Sequence, residues 1–583
     1  MQVDSVLYRG KTIPFTYNDT ILSISLPNMP ANIEGAEVVT ILYHGKPQKD
    51  RSWGGFYRTA DYAYHMGVGF MSDPHPYGRI WHPCFDNFAE KALYDIELRT
   101  HAPFVGHANG LLVSRQLLDG IYTSRWLLQQ PICSYLASFA VGRYIRIQRK
   151  HQGEAGPVPI EIACMASDSK AVERSFQHLT DCIDAFEHWY GPHRFDKVGY
   201  SLVPFRSGAM EHATNISYPI YAANNGLKNE DLMAHELAHS WWGNNVTCED
   251  GSEMWINEGM ASFSELLFYE WVYGKERYRQ EAELLQRKVV RTSHKADHGY
   301  HPITAVPFDY TYGSHVYNKG ALVAHNLRSY LGDSLFRVVC RNIQTERAFD
   351  HLTSIQFMRS AIEKSGMDLV PFFSDWVFRP GFPAFMVHDL QSVRKDRSTF
   401  QTTAQIQQWV LGRQAYFRQL PVVIELTDTK GKTYRFKQLL DSTQTVRFDT
   451  KTPIQMMVIN PDNALLLADR QYPYLLHPKQ AIPPTDQLPF DRLEMTNCKK
   501  AQRVSFTILL SNDWAQIRSS IPFPADAKGV FQLQTNQAAP IRAQNKERGT
   551  ELFRFDRSSN TWQSVKPKES SFILGSGIYA WMD

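Results

Sequence analysis

The sequence lacks the cysteine pattern of disulfide-rich and thiolate-zinc proteins. Its 583 residues include only seven cysteines, an odd and scattered set in which no CxxC pair occurs. This argues against a disulfide framework and against a zinc site built from thiolates. We expect the cysteines, including Cys248, to be free thiols that are mostly buried in cores.

The chain also lacks a strong charge of either sign and a long apolar run. Its 62 Lys and Arg nearly balance its 59 Asp and Glu, so we expect no nucleic-acid partner. No run reaches the roughly 18 apolar residues that cross a bilayer, and MQVDSVLYRG is not a signal peptide. We expect a soluble monomer without a membrane-spanning segment. It would be cytoplasmic as the sequence stands, or exported to the periplasm if the N-terminus is truncated.

What the chain does have is enough length and apolar material for several domains. Its apolar fraction is 43%, and its pattern changes three times along the chain. Strands with turns fill 1–150, helices dominate 151–383, strands return in 384–472, and a Pro-rich connector opens a small β-rich stretch at 473–583. The predicted helices are 168–191, 229–242, 254–273, 276–294, 316–331 and 353–365. The fold class is therefore multidomain α+β.

A metal-binding pattern stands in DLMAHELAHSWWGNN, residues 231–245. His235 and His239 are four residues apart, so both imidazoles project from one face of the predicted helix. Glu236 follows the first histidine directly, as the carboxylate does in HExxH sites. The spacing predicts two ligands for one ion and an acid beside it.

Glu258 supplies a third ligand of the right type, in the predicted helix after the histidines. It follows His239 by nineteen residues, and apolar side chains surround it, which disfavours a solvated surface charge. A His–His–Glu set leaves one position open, as catalytic zinc requires. Glu265 either orients one of the histidines or forms a surface salt bridge.

These motifs resemble the zinc aminopeptidases of the aminopeptidase N family. HELAH, eighteen intervening residues and the glutamate of NEG are preceded by a G-x-M-E segment in GAMEH, 208–212. Further family landmarks occur in order at 78–92, 241–247, 317–320 and 378–383. The likeness covers about 75–470.

The resemblance implies a four-part architecture. It implies an N-terminal β saddle over 1–150, lacking its first strands, and a thermolysin-like catalytic domain over 151–383. A β-sandwich over 384–472 would follow. The β-rich appendage at 473–583 then takes the place of the family's large helical domain.

The resemblance also assigns roles at the site. It implies one zinc ion per chain, held by His235, His239 and Glu258, with Glu236 as general base. The tyrosine of YNKG, Tyr317, would donate a hydrogen bond to the developing oxyanion. Without the family, Tyr310 and Tyr312 are equal candidates for that hydrogen bond.

An acid in GAMEH would make the enzyme an exopeptidase. The resemblance implies that Glu211 binds the free α-amino group and that the main chain of Gly208 and Ala209 runs alongside the substrate. Asp73 is a candidate for a second acid at the amine site, although it lies one residue away from the position that the family pattern gives. The alternative is that Asp73 and Pro74 only form a turn. The expected partners are peptides with a free N-terminus, cleaved at the first bond.

Two other functions are alternatives to an aminopeptidase. They are a thermolysin-like endopeptidase and an inactive peptide-binding scaffold.

Histidine 212 departs from the family pattern, which has asparagine at that position. If His212 is protonated below about pH 6.5, it places a positive charge beside the amine site and weakens substrate binding. His301 and His315 stand at no ligand spacing, so we expect ordinary polar side chains there.

Overall fold

The computed structural model describes residues 1–26 and 37–467 and, beyond these, a set of strands between 470 and 582. The chain divides into two compact units. The first comprises 1–278, 307–312 and 337–365, and the second comprises 279–306, 313–336 and 366–583. Both units combine helices with strands, which confirms the α+β class.

The first unit begins with short antiparallel strands, as the alternating pattern predicts. Val6, Tyr8 and Ile13 form a small core between the first of them. A three-stranded sheet places Ile121–Cys133 between Leu111–Leu118 and Lys91–His101. A four-stranded sheet has the order Gly54–Arg58, Ala63–Gly69, Phe139–Gly142 and Val105–Ala108. The strands are Gln2–Tyr8, Lys11–Ile13, Phe15–Tyr17, Leu22–Ile24, Val39–His44, Gly54–Arg58, Ala63–Gly69, Lys91–His101, Val105–Ala108, Leu111–Leu118, Ile121–Cys133 and Phe139–Gly142.

A further mixed sheet lies partly within the stretch predicted as helical. Tyr144–Gly153 pairs antiparallel with Gly156–Met165, and Val198–Val203 and Ile216–Pro219 continue the sheet in parallel. Every residue of Val198–Val203 is buried, so this strand shows no alternation in the sequence. The prediction that helices dominate the region did not include these strands.

The helices of the first unit follow the predictions with local differences. The predicted helix 168–191 is two helices, because Phe176 leaves the helical conformation, and the second ends before Gly191 as predicted. The predicted helix 229–242 stops at Ala238, and a 3₁₀ turn, Gly251–Ile256, precedes the next one. The bounds are Ser169–Ser175, Leu179–Tyr190, Ile220–Ala223, Glu230–Ala238, Glu258–Tyr273, Lys275–Lys288 and Ser354–Ser365, of which Lys275–Lys288 continues into the second unit.

The second unit holds irregular helical turns and antiparallel sheets. A π-helical turn, His315–Lys319, leads into the long helix Gly320–Glu346, whose residues from 337 on are counted with the first unit. The helix is interrupted at Gly332, next to the predicted end at 331. Other helical segments are Val289–Ser293, His294–Ala296, Val370–Phe372 and Phe373–Val377. None of the helices in the described part of the chain is long and apolar enough to cross a membrane.

Two three-stranded antiparallel sheets occupy the region predicted as a sandwich. One contains Phe382–Arg394, Phe400–Leu411 and Thr443–Thr450, and the other contains Leu420–Asp428, Thr433–Leu440 and Ile454–Ile459. The strands beyond them are Arg470–Leu476, Phe490–Met495, Gln502–Leu509, Gly529–Thr535, Ile541–Asn545, Glu551–Asp556, Thr561–Val565, Ser571–Leu574 and Gly577–Met582. The domain boundaries at 150, 383 and 472 stay predictions.

The cysteines agree with the expectation of free thiols. Six are free within the described residues, and five of these, including Cys248, are buried. Cys498 lies outside the described residues.

Candidate metal centre

Two adjacent helices of the first unit carry the predicted ligands. His235 lies in the last turn of Glu230–Ala238, His239 follows in helical conformation, and Glu258 is the first residue of Glu258–Tyr273. Gly243 has a φ of 125°, and a Cβ there would lie 3.0 Å from Nδ1 of His239. A glycine is therefore needed where the chain turns beneath the His239 ring.

The three predicted ligands meet at one point. Nε2 of His235 and Nε2 of His239 lie 3.3 and 3.4 Å from the same oxygen, Oε2 of Glu258. All three side chains are buried. Ligands at about 2.1 Å from a tetrahedral ion are about 3.4 Å from one another, so these separations fit a zinc-sized ion.

Hydrogen bonds set the tautomer of each histidine. Nδ1 of His235 lies 2.8 Å from Oε1 of Glu265, and Nδ1 of His239 lies 2.8 Å from the carbonyl oxygen of Trp242. Both partners are acceptors, so each Nδ1 donates and Nε2 is the ring nitrogen that faces the centre. Of the two roles considered for Glu265, orienting a histidine is the one that this contact supports.

Two further buried carboxylates adjoin the ligands. Glu211 and Glu236 each place a ligand-type atom within 4.8 Å of one on His239. Oε2 of Glu236 is buried and has no hydrogen-bond partner among the described residues. Burial raises the pKa of Glu236 to about 8 and also raises that of Glu211. Several buried carboxylates this close together repel one another when ionised, so bound cations would stabilise them.

Main-chain pairing brings Glu211 to this centre. Met210 exchanges backbone hydrogen bonds of 3.1 and 3.0 Å with Ser217, at the edge of the mixed sheet. Asn244, from the segment after the histidines, donates from Nδ2 to the carbonyl oxygen of Glu211 at 2.9 Å. Gly208 has a φ of 77° and is exposed, whereas Ala209 is buried.

His212 lies in the interior and is not a titrating group at the site. It is fully buried, its Nδ1 lies 3.1 Å from Oγ of Ser217, and its ring stacks on His65 at 5.6 Å. Burial, followed by the neighbouring His65, lowers the pKa of His212 well below 6.5. The expectation that it charges near pH 6.5 is wrong, because solvation of the imidazolium is lost in this core.

The remaining predicted residues lie in other places. Asp73 is exposed in a turn before Pro74. Tyr317 lies in the π-helical turn of the second unit. The substrate contact of Asp73 and the oxyanion contact of Tyr317 both stay predictions.

Asp297 holds the turn that carries Tyr317 and was missed in the sequence. Its carboxylate accepts hydrogen bonds from the main-chain N–H of Ser314 at 2.9 Å and of His315 at 2.7 Å, and lies 2.6 Å from Nδ1 of His315. Asp297 and His315 are both buried. His315 is therefore a partner in a structural network, and only the seventeen-residue separation between Asp297 and Ser314 hid this from sequence reasoning.

Tyr312 is a buried tyrosine of the first unit that is influenced by the charges of the site. Its hydroxyl is buried without a hydrogen-bond partner in the described part of the chain. Burial and then the charges of Glu258 and Glu211 raise its pKa well above 10. Sequence reasoning weighed Tyr312 only as an alternative to Tyr317.

Part of the chain is similar to a known peptidase family. The peptidase family M1 domain matches residues 171–376. The matched region includes the three predicted ligands and Glu236, Glu211 and Tyr317, whereas Asp73 lies outside it.

Relatives of the chain are aminopeptidases by name. Bovine glutamyl aminopeptidase is 26% identical over 365 residues, which are 59% of this chain and 37% of the relative. The leucyl aminopeptidase of Saccharolobus solfataricus is 23% identical over 395 residues, which are 65% of this chain and 48% of the relative. The chain therefore spans less than half the length of these two relatives.

Solved structures share the multidomain fold. The M1 zinc metallopeptidase of Deinococcus radiodurans superposes with a TM-score of 0.58 at 21% identity, covering 65% of this chain and 84% of that one. Aminopeptidase A of Legionella pneumophila, in complex with aspartic acid, superposes with a TM-score of 0.63 at 18% identity, covering 80% of this chain and 54% of that one.

Proposed function

We propose that this protein is a zinc-dependent aminopeptidase that hydrolyses the first peptide bond of peptides with a free N-terminus. The observation that carries the proposal is the cluster of buried carboxylates in the region that matches the M1 domain. Glu258 is grouped with two histidine nitrogens at ligand spacing, and Glu236 and Glu211 remain beside them. A metal ion and a substrate ammonium are the two cations that such a site would hold.

The residues present fit one zinc ion per chain. His235, His239 and Glu258 would hold it, because their donor atoms face one another and Nε2 is the ring nitrogen of both histidines that faces inward. When bound, zinc supplies a Lewis acid for the scissile carbonyl and for the attacking water.

Glu236 serves as general base in this proposal. Its unpartnered Oε2 is free to accept a proton from the attacking water and to return it to the leaving amine.

Glu211 supplies the preference for chain ends. A substrate ammonium that pairs with the Glu211 carboxylate would offset part of the free energy that burial of this carboxylate costs. The bond from Asn244 holds the Glu211 main chain in place, so an amine bound there brings only the first peptide bond to Glu236. The M1 zinc metallopeptidase of Deinococcus radiodurans, whose structure is described as bound to a Tyr-Ser-Ala substrate, supports peptides as the substrate class.

The test combines metal analysis with capped and uncapped substrates. A panel of aminoacyl-naphthylamides, each with and without an N-acetyl group, is assayed with the wild type, Glu236→Ala and the exposed control Glu90→Ala. We expect one zinc per chain, turnover of free substrates only, and loss of turnover in Glu236→Ala but not in Glu90→Ala. Equal turnover of capped substrates would indicate an endopeptidase. Absence of both zinc and turnover would indicate a binding scaffold.

A further inference from the structure

An aromatic cavity lies beside the segment that precedes Gly208. Its volume is about 630 Å³, which is in the range of pockets that take small ligands. Residues 204–207 form part of its wall. Its principal side chains are Lys49, Trp53, Tyr57, Phe70, Phe205 and Arg206.

A row of stacked rings leads from this cavity towards the metal centre. Tyr312, whose pKa is raised by burial and by the charges of Glu258 and Glu211, stacks on Phe70 at 4.4 Å. Phe70, which lines the cavity, in turn stacks on Trp53 at 4.8 Å. The wall of the cavity is therefore one ring contact from Tyr312.

The order of residues along GAMEH indicates which part of a substrate reaches the cavity. Nε1 of Trp53 donates to the carbonyl oxygen of Ser207 at 2.6 Å, and Trp53 lies 3.9 Å from where a Cβ of Gly208 would be. A peptide whose amine is at Glu211 and which runs past Ala209 and Gly208 is therefore directed at Trp53. Glu211 and Gly208 are three positions apart, so a substrate that follows this segment at about 3.3 Å per extended residue reaches Trp53 with about its third or fourth residue.

The charges around the cavity select an anion. Lys49 and Arg206 are exposed at its edge, and Nζ of Lys49 lies 4.5 Å over the Tyr57 ring. No acidic residue occurs among the described side chains that line it. The neighbouring Asp50 is engaged by its own loop, accepting hydrogen bonds from Ser52 and Trp53. An aromatic surface beside two cations suits a carboxylate that is attached to an apolar side chain.

We propose that this cavity binds the carboxy-terminal residue of a short peptide. The terminal carboxylate lies near Lys49 and Arg206, and the last side chain packs against Trp53. The preferred substrates are then peptides of three or four residues that end in an apolar or aromatic residue. This inference rests on the proposed aminopeptidase function, because it takes the amine at Glu211 as the starting point.

The test compares peptides that differ only at the carboxy-terminus. Tri- and tetrapeptides that begin with the residue preferred in the naphthylamide panel and end in Phe are supplied as free acids and as amides. The enzymes are the wild type, the double variant Lys49→Gln/Arg206→Gln, and Lys46→Gln, a nearby exposed lysine outside the cavity lining. Release of the first residue gives kcat and KM.

We expect the wild type to prefer the free acid over the amide by roughly three- to tenfold in kcat/KM at one of the two peptide lengths. The difference should appear in KM. It should be this small because Lys49 and Arg206 are both solvent-exposed. The double variant should lose this preference and Lys46→Gln should keep it, while all three cleave the aminoacyl-naphthylamide equally. Equal rates for acid and amide at both lengths, with the naphthylamide still cleaved, would overturn the cavity assignment. Failure of the wild type to cleave any naphthylamide would instead overturn the proposed function.

Discussion

At the scale of single residues, the chemistry of the candidate metal centre depends on which side-chain atoms are hydrogen-bonded and which are not. Glu265 and the Trp242 carbonyl occupy the Nδ1 atoms of the two histidines, and Oε2 of Glu236 has no partner in the described chain. Outer ring atoms held by hydrogen bonds and a carboxylate oxygen without a partner are the arrangement that a metal site and a base require. The side chains thus agree with the proposed zinc-dependent hydrolysis.

The two tyrosines allow a direct test of the oxyanion donor. We expect Tyr317→Phe to lower kcat by about 10²- to 10³-fold with little change in KM, because it removes a hydrogen bond made only in the transition state. Tyr312→Phe should change kcat by less than about tenfold, because its ring, which packs on Phe70, is kept. Steady-state kinetics on the preferred naphthylamide measure both values. A larger kcat loss in Tyr312→Phe would move the role to that residue.

At the scale of strands and helices, buried charges join elements of the first unit. Glu161 in Gly156–Met165 lies 2.8 Å from Arg146 in the neighbouring strand and 3.3 Å from Lys197. Its carboxylate also lies 3.5 Å from His107. A buried carboxylate with these partners ties separate strands together, although the cost of its burial limits the net gain.

This cluster predicts how stability changes with pH. Burial alone would raise the pKa of Glu161, but the His107 hydrogen bond and the nearby cations outweigh it and lower that pKa to about 2. Because the folded pKa is below the ordinary 4.5, the stabilisation is complete above pH 4.5 and is lost as the pH falls towards 2. The full loss is up to about 3 kcal/mol. Urea unfolding across this range should show a flatter dependence for Glu161→Gln than for the wild type, and equal slopes would contradict the assignment.

The sequence pattern predicted some of the helices and strands and missed others. The helices that carry the ligands were predicted because their apolar residues repeat at helical spacing, and Gly191 ended its helix as predicted. The strand Val198–Val203 was not predicted, because a strand that is buried on both faces lacks the alternation of apolar and polar residues. The break at Phe176 was also missed, because no glycine or proline marks it.

At the scale of the whole molecule, a small net charge of +3 coexists with a strongly acidic interior site. Three buried carboxylates lie within one small volume of the first unit, and Glu265 adds a fourth that is partly exposed. Zinc should therefore contribute to folding as well as to catalysis, because it neutralises charges that the fold has removed from water.

Removing the metal tests this coupling. We expect a chelator to lower the melting temperature by about 5 °C or more, and added zinc to restore it, because an ion that binds only the folded state stabilises it. Differential scanning calorimetry with parallel zinc analysis measures the effect. Glu258→Ala should bind less zinc and respond less to the chelator. An unchanged melting temperature after verified zinc loss would show that the metal has no structural role.

The sequence by itself determined the fold class and the group His235, His239 and Glu236, because helical periodicity places residues four apart on one face. Only the tertiary structure decided which distant groups join them. Strand pairing at Met210 brings Glu211 to the site, and ring stacking brings Tyr312 and the aromatic cavity beside it. Burial decided that His212 stays neutral. Local geometry follows from spacing along one element, whereas the contacts of Tyr312 with Phe70 and of His212 with His65 join segments more than a hundred residues apart, which no spacing rule specifies.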